Sequence, residues 1–280
     1  ALVALVALPA SVLAQSAGYD ILIRHGRIID GTGAPWYAGD LAIKDGRIAA
    51  IGRLDGAGAA QVVDAGGKVI APGFIDMLGQ SETSILVSPE LPSKIFQGIT
   101  TEFTGEGGSA APLTDTLVKV DQVAWDHFGV TPDWRSFRQY FARLEKQGIG
   151  INLGSYVGAT QVRRAVLGDD DRTPTPEQLD SMRALVRAAM LDGAVGVSTA
   201  LQYPPAPYAK TDELVALAKE AARYGGSYAT HMRSEGDRIS QAIDEAITIG
   251  READIPVEIW HLKAAGKKNW GRMPEIVAKI

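Results

Sequence analysis

Three observations predict an α/β protein built as a (β/α)8 barrel of the TIM type, with a small β domain before it. From Val69 onward, short apolar strands alternate with amphipathic helical segments, which is typical of a parallel sheet covered by helices. Residues 19–68 consist instead of short strands and tight turns. Two of only four histidines, His231 and His261, end consecutive strand segments. In a barrel such strand ends meet at one mouth, where active sites lie.

The composition favours one large globular unit with a small satellite. A chain of 280 residues with 46% hydrophobic and 22% charged residues can bury a sizeable core. The net charge is -5 and no basic run occurs, so the sequence does not indicate a nucleic-acid-binding protein. Cysteine is absent, which excludes disulfides and thiolate zinc sites. The ligands of any metal must therefore be His, Asp, Glu or a modified Lys.

The two ends of the sequence have distinctive patterns. Residues 1–14 (ALVALVALPASVLA) are apolar, too short to span a bilayer as a helix, and end in the small-x-small pattern that signal peptidases cut after. We interpret them as a truncated signal peptide and expect a periplasmic or secreted protein; a disordered or membrane-associated arm is the alternative. Residues 274–280 lie inside a helical pattern without a stop signal, so we interpret the C-terminus as truncated.

A β-hairpin is predicted over residues 40–51 of the small β domain. Asp45-Gly46 supplies the two-residue turn, in which both residues need positive φ. His25 also lies in this domain, away from any barrel mouth, and we interpret it as structural.

Six strands are predicted from residue 69 onward, which is about six of the eight units of a barrel: 69–76, 99–104, 149–157, 194–199, 227–231 and 257–261. The first is a continuous apolar run, as expected of a strand buried on both faces. Residues 107–131 are predicted to be an irregular insertion; His127 within it is interpreted as a surface residue, or alternatively as part of a lid. An open doubly wound sheet is the alternative fold, but no glycine-rich nucleotide motif supports it.

Helices are predicted between these strands. Thr175-Pro176-Glu177-Gln178 combines an N-cap, a proline at the first helical position and the glutamine of a capping box, so a helix starts at Pro176. Thr211 is predicted to cap the next helix, and a further helix is predicted over residues 235–251.

Several segments resemble the amidohydrolase superfamily and, more closely, the D-aminoacylase (N-acyl-D-amino-acid deacylase) family. They are APGFID (71–76), GVSTALQYPP (196–205), YAKTD (208–212), YATHMR (228–233), EGD (235–237) and GKKNW (266–270), and the resemblance covers about residues 19–280. It implies a metal-dependent hydrolase acting on carbon–nitrogen bonds other than peptide bonds, in which zinc activates the attacking water. It also implies an aspartate after strand eight that moves the proton. Strand eight lies outside this sequence, so the catalytic residue is unknown.

By the same resemblance, His231 and His261 are metal ligands, and Lys263 matches a position that binds the substrate carboxylate. A lysine can hold a carboxylate as a point charge. The alternatives are two core histidines bonded to backbone and a solvated surface lysine.

Two departures from the family pattern affect the metal. The strand-one motif Asp-x-His-x-His reads Asp76-Met-Leu-Gly-Gln80 here, so both histidines are replaced, Gln80 is at best a weak ligand, and we expect one zinc per chain. Asp76 matches the structural aspartate of that motif rather than a catalytic one. The family's Gly-Asn-Cys-Gly reads Gly105-Glu-Gly-Gly108, and we expect Glu106 to supply the third ligand beside the histidines. The alternative is a carboxylate held by backbone N–H groups of this glycine-rich loop.

The leading hypothesis is a zinc-dependent amidohydrolase that cleaves a linear amide and deacylates N-acyl-D-amino acids or similar compounds. The alternatives are an amidohydrolase of cyclic amides or dipeptides and a non-catalytic binding barrel. Residues 195–199 (VGVST) lack the lysine whose carbamate bridges two metals in several branches of the superfamily, which disfavours the first alternative. The expected partner is a small amide with a carboxylate, without nucleic acid or a stable membrane span. The oligomeric state is not determined by the sequence.

Overall fold

The computed structural model describes residues 18–280. Two compact units are present, one ending at Pro72 and the other comprising Gly73–Ile280. The apolar segment 1–14 lies outside the described residues, so its interpretation as a signal peptide stays a prediction. Within residues 18–280, none of the helices combines the length and the apolar character that crossing a bilayer requires.

A five-stranded mixed sheet forms the first unit. Its strands are β1 (Tyr19–Ile28), β2 (Tyr37–Lys44), β3 (Arg47–Gly52), β4 (Ala59–Asp64) and β5 (Val69–Ile70). Strand β2 pairs antiparallel with β1 and β3, whereas β4 and β5 run parallel to β1. Asp45 and Gly46 join β2 to β3 with φ values of 51° and 69°, so the predicted hairpin turn is confirmed.

Parallel strands form the barrel of the second unit. They are β6 (Phe74–Asp76), β7 (Ile99–Thr104), β8 (Asn152–Ser155), β9 (Val157–Gly158), β10 (Gly196–Ala200), β11 (Ser227–His231) and β12 (Val257–Ile259). The pairing orders are β6-β7-β8 and β9-β10-β11-β12. Tyr156 alone separates β8 from β9, so the third strand position is divided between the two sheets. Six consecutive strand positions therefore follow the predicted barrel order.

Ten α-helices accompany these strands within residues 18–280. They are α1 (Ser84–Val87), α2 (Pro92–Ile95), α3 (Asp115–Val120), α4 (Gln122–Phe128), α5 (Phe137–Gln147), α6 (Ala159–Leu167), α7 (Pro176–Leu191), α8 (Thr211–Ala222), α9 (Ile239–Ala253) and α10 (Met273–Lys279). Short 3-10 helices cover Ala206–Tyr208 and Lys267–Arg272.

The core lies between the helices and the parallel strands. Strand β10 is buried along its whole length, as expected of a strand covered on both faces. Met182 and Val186 of α7 and Leu214 of α8 are buried in the same apolar cluster. The capping box of α7 is confirmed, because the Gln178 N–H donates to Thr175 Oγ1 and the Thr175 N–H donates to Gln178 Oε1.

The predicted continuous strand over residues 69–76 is wrong. Val69 and Ile70 pair with β1 in the first unit, and the barrel strand starts at Phe74. Pro72, which has no N–H to donate to a sheet, separates the two strands. The boundary between the units therefore follows Pro72, rather than residue 68 as predicted.

Four further element predictions need correction. The insertion over residues 107–131 contains α3 and α4, because the Thr114 hydroxyl caps α3 by accepting the Leu117 N–H. Thr211 is the first helical residue of α8 rather than its cap, and its hydroxyl donates to Glu245 instead. The helix predicted from residue 235 begins at Ile239, and the strand predicted to end at His261 ends at Ile259.

Candidate metal centre

Polar side chains gather where the parallel strands of the second unit end. Glu106 lies two residues after β7, His231 is the last residue of β11, and His261 lies two residues after β12. Gln80 follows β6 in the same way. The C-terminal ends of parallel strands share one edge, so residues distant in sequence meet there.

Glu106 lies between the two histidines. Its Oε1 is 3.0 Å from Nδ1 of His231 and 3.2 Å from Nε2 of His261. The two imidazole rings meet edge to face with centroids 4.3 Å apart. One ligand atom from each of the three residues lies within 4.8 Å of the other two. The structure thus brings together Glu106, His231 and His261, the three residues that were expected to bind metal, which we call the metal group.

The glycines on either side of Glu106 explain how this carboxylate reaches the histidines. Gly105 and Gly107 have φ values of 96° and 72°, which side chains rarely tolerate. A Cβ at Gly105 would lie 2.4 Å from the Tyr156 carbonyl oxygen, and one at Gly107 would lie 2.6 Å from Cβ of Ala200. The loop therefore packs closely against neighbouring strands and directs Glu106 inward.

The geometry and the donor types fit a zinc ion. Ligands held at about 2.0–2.1 Å by a tetrahedral zinc lie roughly 3.3 Å from one another, close to the separations measured from Oε1 of Glu106. Two imidazoles and one carboxylate form a known zinc first shell. The His231 side chain is 7% exposed and that of Glu106 is 12% exposed, whereas that of His261 is 29% exposed. The group is thus shielded on one side and open on the other.

Side chains hold the Glu106 carboxylate in place. Gln80 Nε2 donates to Oε2 of Glu106 at 2.6 Å. Burial opposes ionisation of Glu106, but the hydrogen bonds from His231, His261 and Gln80 outweigh it and lower the pKa of this carboxyl below its ordinary value. The alternative interpretation of the sequence is that backbone N–H groups of the glycine-rich loop hold the Glu106 carboxylate. Within the described residues, the side chains of Gln80, His231 and His261 hold it instead.

Lys263 lies beside His261, with Glu235 between them. The Lys263 ammonium donates to Oε1 of Glu235, and the same oxygen is 2.6 Å from Nδ1 of His261. The lysine side chain is about half exposed and that of Glu235 is largely buried. Lys263 is thus a half-exposed, ion-paired lysine next to His261.

Strand β6 contributes structural groups. Lys94 Nζ donates to Oδ2 of Asp76 at 2.6 Å, and Asp76 Oδ1 accepts the Leu78 N–H. Burial opposes this ionisation, but Lys94 keeps the pKa of Asp76 below its ordinary value. Leu78 packs against the apolar cluster formed by Tyr156, Ala229 and Trp260. These contacts agree with the structural interpretation of Asp76.

The two remaining histidines have other surroundings. His25 lies in the first unit, where its Nδ1 is 3.1 Å from Oδ1 of Asp64. His127 lies on α4 with its ring edge to face with that of Phe128.

Two residues of the site, Glu235 and Tyr203, were not proposed as candidates from the sequence, and Gln80 was considered there only as a weak ligand. Glu235, Gln80 and Tyr203 contact the metal group, the last through an edge-to-face contact with the His231 ring at 5.2 Å. Glu235 and Gln80 each lie four residues after the end of a barrel strand. Because the C-terminal strand ends of a barrel surround its active site, this position could have marked both residues as candidates. Tyr203 lies in the loop after β10 and gave no comparable signal.

Comparison with known proteins gives consistent matches. The model of the amidohydrolase family matches residues 61–275. The chain is 39% identical over 267 residues to the D-aminoacylase of Alcaligenes xylosoxydans xylosoxydans, covering 95% of this chain and 55% of that protein. It is 40% identical over 265 residues to the N-acyl-D-aspartate deacylase of the same organism, covering 93% of this chain and 53% of that protein.

A solved structure shares the fold. The N-acyl-D-glutamate deacylase from Bordetella bronchiseptica, complexed with zinc and a phosphonate inhibitor, superposes with a TM-score of 0.85 at 38% identity. The match covers 93% of this chain and 55% of that one, so the chain spans about half the length of the relatives that it matches. The family model matches more than half of this chain, and the barrel order and the metal group agree with it. The chain belongs to the amidohydrolase family.

Proposed function

We propose that the protein is a zinc-dependent hydrolase that removes the acyl group from N-acyl-D-amino acids. The observation that carries this proposal is the group of Glu106, His231 and His261, with the cationic Lys263 next to His261. The relatives named above are deacylases of this substrate class, and the solved one holds zinc.

Each residue of the site has a role in this proposal. Glu106, His231 and His261 would hold the ion. When bound, zinc supplies Lewis-acid chemistry, which polarises a carbonyl and makes water a better nucleophile at neutral pH. Lys263 would bind the substrate carboxylate as a point charge and orient the neighbouring amide. Asp76 is engaged by Lys94, so we assign no proton transfer to it.

We propose one tightly bound zinc per chain. The first strand supplies the aliphatic Leu78, which packs against an apolar cluster, and Gln80, whose amide donates to Glu106. An amide group that donates to a ligand carboxylate supports the position of that ligand rather than adding another ion. Elemental analysis of the purified protein after gel filtration should return about one zinc per chain. Two tightly held ions would contradict the proposal.

A substrate panel tests the activity. The purified protein should hydrolyse an N-acetyl-D-amino acid, lose activity when a chelator removes the metal, and regain it with zinc. The L enantiomer, a neutral N-acetyl amine, a dipeptide and a hydantoin are the comparisons. Faster hydrolysis of the hydantoin or the dipeptide would favour the alternative substrates. Zinc binding without hydrolysis of any of the five compounds would favour a binding barrel.

We also propose export from the cytoplasm, which the apolar segment 1–14 and its small-x-small ending support. N-terminal sequencing of protein recovered from the periplasm or the medium should begin at or near Gln15. Recovery only from the cytoplasm would contradict this.

A further inference from the structure

Glu235 connects two functional groups of the site. It lies four residues after His231 in the loop between β11 and α9. Its Oε1 is 2.6 Å from Nδ1 of His261 and also accepts a hydrogen bond from Nζ of Lys263. The Glu235 side chain is 11% exposed, so solvent screens these contacts only weakly.

The orientation of the His261 ring determines which of its two nitrogens faces the Glu235 carboxylate and can donate a hydrogen bond to it. Nε2 of His261 faces Oε1 of Glu106, so this nitrogen must offer a lone pair if His261 is to be a metal ligand. A neutral imidazole then carries its proton on Nδ1. That N–H points at Glu235, so the carboxylate selects the tautomer and fixes the ring orientation of His261.

Lys263 shares the same carboxylate oxygen. Nζ of Lys263 lies 3.2 Å from Nδ1 of His261 and also donates to the His261 carbonyl oxygen at 3.3 Å. With Nδ1 protonated, the two groups both donate to Glu235 rather than bonding to each other. One carboxylate thus serves the metal ligand and the lysine proposed to bind substrate.

We propose that Glu235 is a positioning residue that couples the metal ligand His261 to the substrate-binding Lys263. This inference rests on the proposed function. When a substrate carboxylate engages Lys263, Glu235 loses part of its cationic partner and its charge acts more fully on the Nδ1–H of His261. The imidazole then becomes a stronger electron donor to the metal. Because coupling between two binding sites is reciprocal, a bound metal strengthens carboxylate binding by the same factor.

A merely structural role for this side chain makes a different prediction. The loop is also held by backbone contacts, because the Ala265 N–H donates to the Glu235 carbonyl oxygen at 2.7 Å. Glu235→Gln keeps that bond and the side-chain volume, and it removes only the charge. Asp237→Asn is the matched control, because Asp237 lies in the same loop and accepts from Lys268 and Asn269 instead.

Zinc affinity is the primary measurement. Competition with a fluorescent zinc chelator should show that Glu235→Gln weakens zinc binding roughly ten- to a hundredfold, the range for losing an outer-shell partner of a metal ligand. Asp237→Asn should bind zinc like the wild type. Equal zinc affinity in wild type and Glu235→Gln, or an equal loss in Asp237→Asn, would overturn the proposal. Should Glu235→Gln not fold, Glu235→Asp keeps the charge but shortens the reach, and the same loss is expected.

Steady-state kinetics at saturating zinc provide the second measurement, with an N-acetyl-D-amino acid as the probe. Glu235→Gln frees Lys263 from its counter-charge, so KM should fall while kcat falls as well. A rise in KM together with a fall in kcat would show that Glu235 only maintains the loop. The zinc measurement needs no turnover. A wild type that binds zinc but does not hydrolyse the probe therefore contradicts the proposed function, not the role of Glu235 toward His261.

Discussion

Oε1 of Glu106 lies 3.0 Å from Nδ1 of His231, although the two residues are 125 positions apart in the sequence. Strands β7 and β11 end at the same edge of the second unit, and two close-packed glycines direct Glu106 toward the imidazole. The same oxygen also contacts His261. A single carboxylate atom is therefore the centre of the group, and the first two predictions below concern this atom and its partners.

Replacement of either histidine of the group should release the metal. His231→Ala or His261→Ala removes one of three protein ligands, so zinc affinity should fall by more than the roughly 10–100-fold cost of losing an outer-shell partner. Chelator competition measures this loss. The control is His127→Ala on α4, which should retain zinc. Zinc retained in both site variants would mean that the metal binds elsewhere.

Replacement of Glu106 should lower the zinc content of the purified protein. Glu106→Ala removes the oxygen that both histidines contact, and purified protein should therefore contain less zinc. Glu106→Gln keeps the volume but removes the charge and should give an intermediate occupancy. Elemental analysis gives the result directly. Full zinc content in Glu106→Ala would leave this carboxylate with the role of ordering the loop.

Lys263→Ala should leave zinc in place and weaken substrate binding. Loss of a charge-assisted hydrogen bond of about 1.5–3 kcal/mol lowers kcat/KM by roughly ten- to several-hundredfold, mainly through KM. A neutral N-acetyl amine, which lacks the carboxylate, should be hydrolysed at nearly the wild-type rate. Lys268→Ala is the control, because Lys268 pairs with the exposed Asp237. Zinc loss in Lys263→Ala would instead assign Lys263 to the metal group.

Glu82 should make stability depend on pH. Burial raises the pKa of Glu82 from 4.5 to about 7, and the nearby Glu102 and Glu106 add to this effect. Between these values the folded protein binds more protons at Glu82 than the unfolded chain does, so the contribution of this group to stability falls as pH rises. Glu82→Gln stays neutral and should gain stability relative to wild type across this window.

The gain from Glu82→Gln should reach roughly 3 kcal/mol above the folded pKa, at about 1.4 kcal/mol per pKa unit. Urea unfolding of the metal-free protein below pH 4.5 and above pH 7 measures it. The exposed Glu90→Gln is the control and should show no such trend. A stability difference between Glu82→Gln and wild type that is constant with pH would contradict the assignment.

The ion pair of Arg163 and Glu213 should be important for folding. Arg163 Nη1 donates to Oε2 of Glu213 at 2.7 Å, and both side chains are buried. Arg163→Met leaves a buried, unpaired carboxyl group and should lower the free energy of unfolding by about 3–5 kcal/mol. Urea denaturation measures the loss. The double variant Arg163→Met/Glu213→Leu should recover part of it, whereas Lys268→Met in an exposed pair should cost less than about 1 kcal/mol. A loss below that control value would contradict the prediction.

Local sequence signals predicted individual elements well where neighbouring residues alone decide the conformation. The Asp45-Gly46 turn and the capping box of Thr175 and Gln178 are both present, since each depends on residues no more than three positions apart. The alternation of strands and helices also indicated the barrel, because burial on a parallel sheet leaves a recognisable apolar pattern.

Apolar continuity was a poor guide where the chain passes from one sheet to another. The run over residues 69–76 is divided between two units, with Pro72 between its two strands. The hydroxyl of Thr211 had the pattern of a cap, yet it donates to Glu245, 34 positions away. In both cases a distant partner decided the structure, and no local pattern contains that partner.

The residue pattern was sufficient to predict the fold class and a strand that ends at His231, whereas His261 lies two residues beyond β12. Long-range packing, in contrast, brings Glu106 to both imidazoles and places Glu235 between His261 and Lys263. This difference arises because the order and register of parallel strands bring together residues that are 26 (Glu235 and His261) to 155 (Glu106 and His261) positions apart. The geometry of a metal site depends on those long-range pairings, whereas strands, turns and caps depend mainly on their neighbours in the chain.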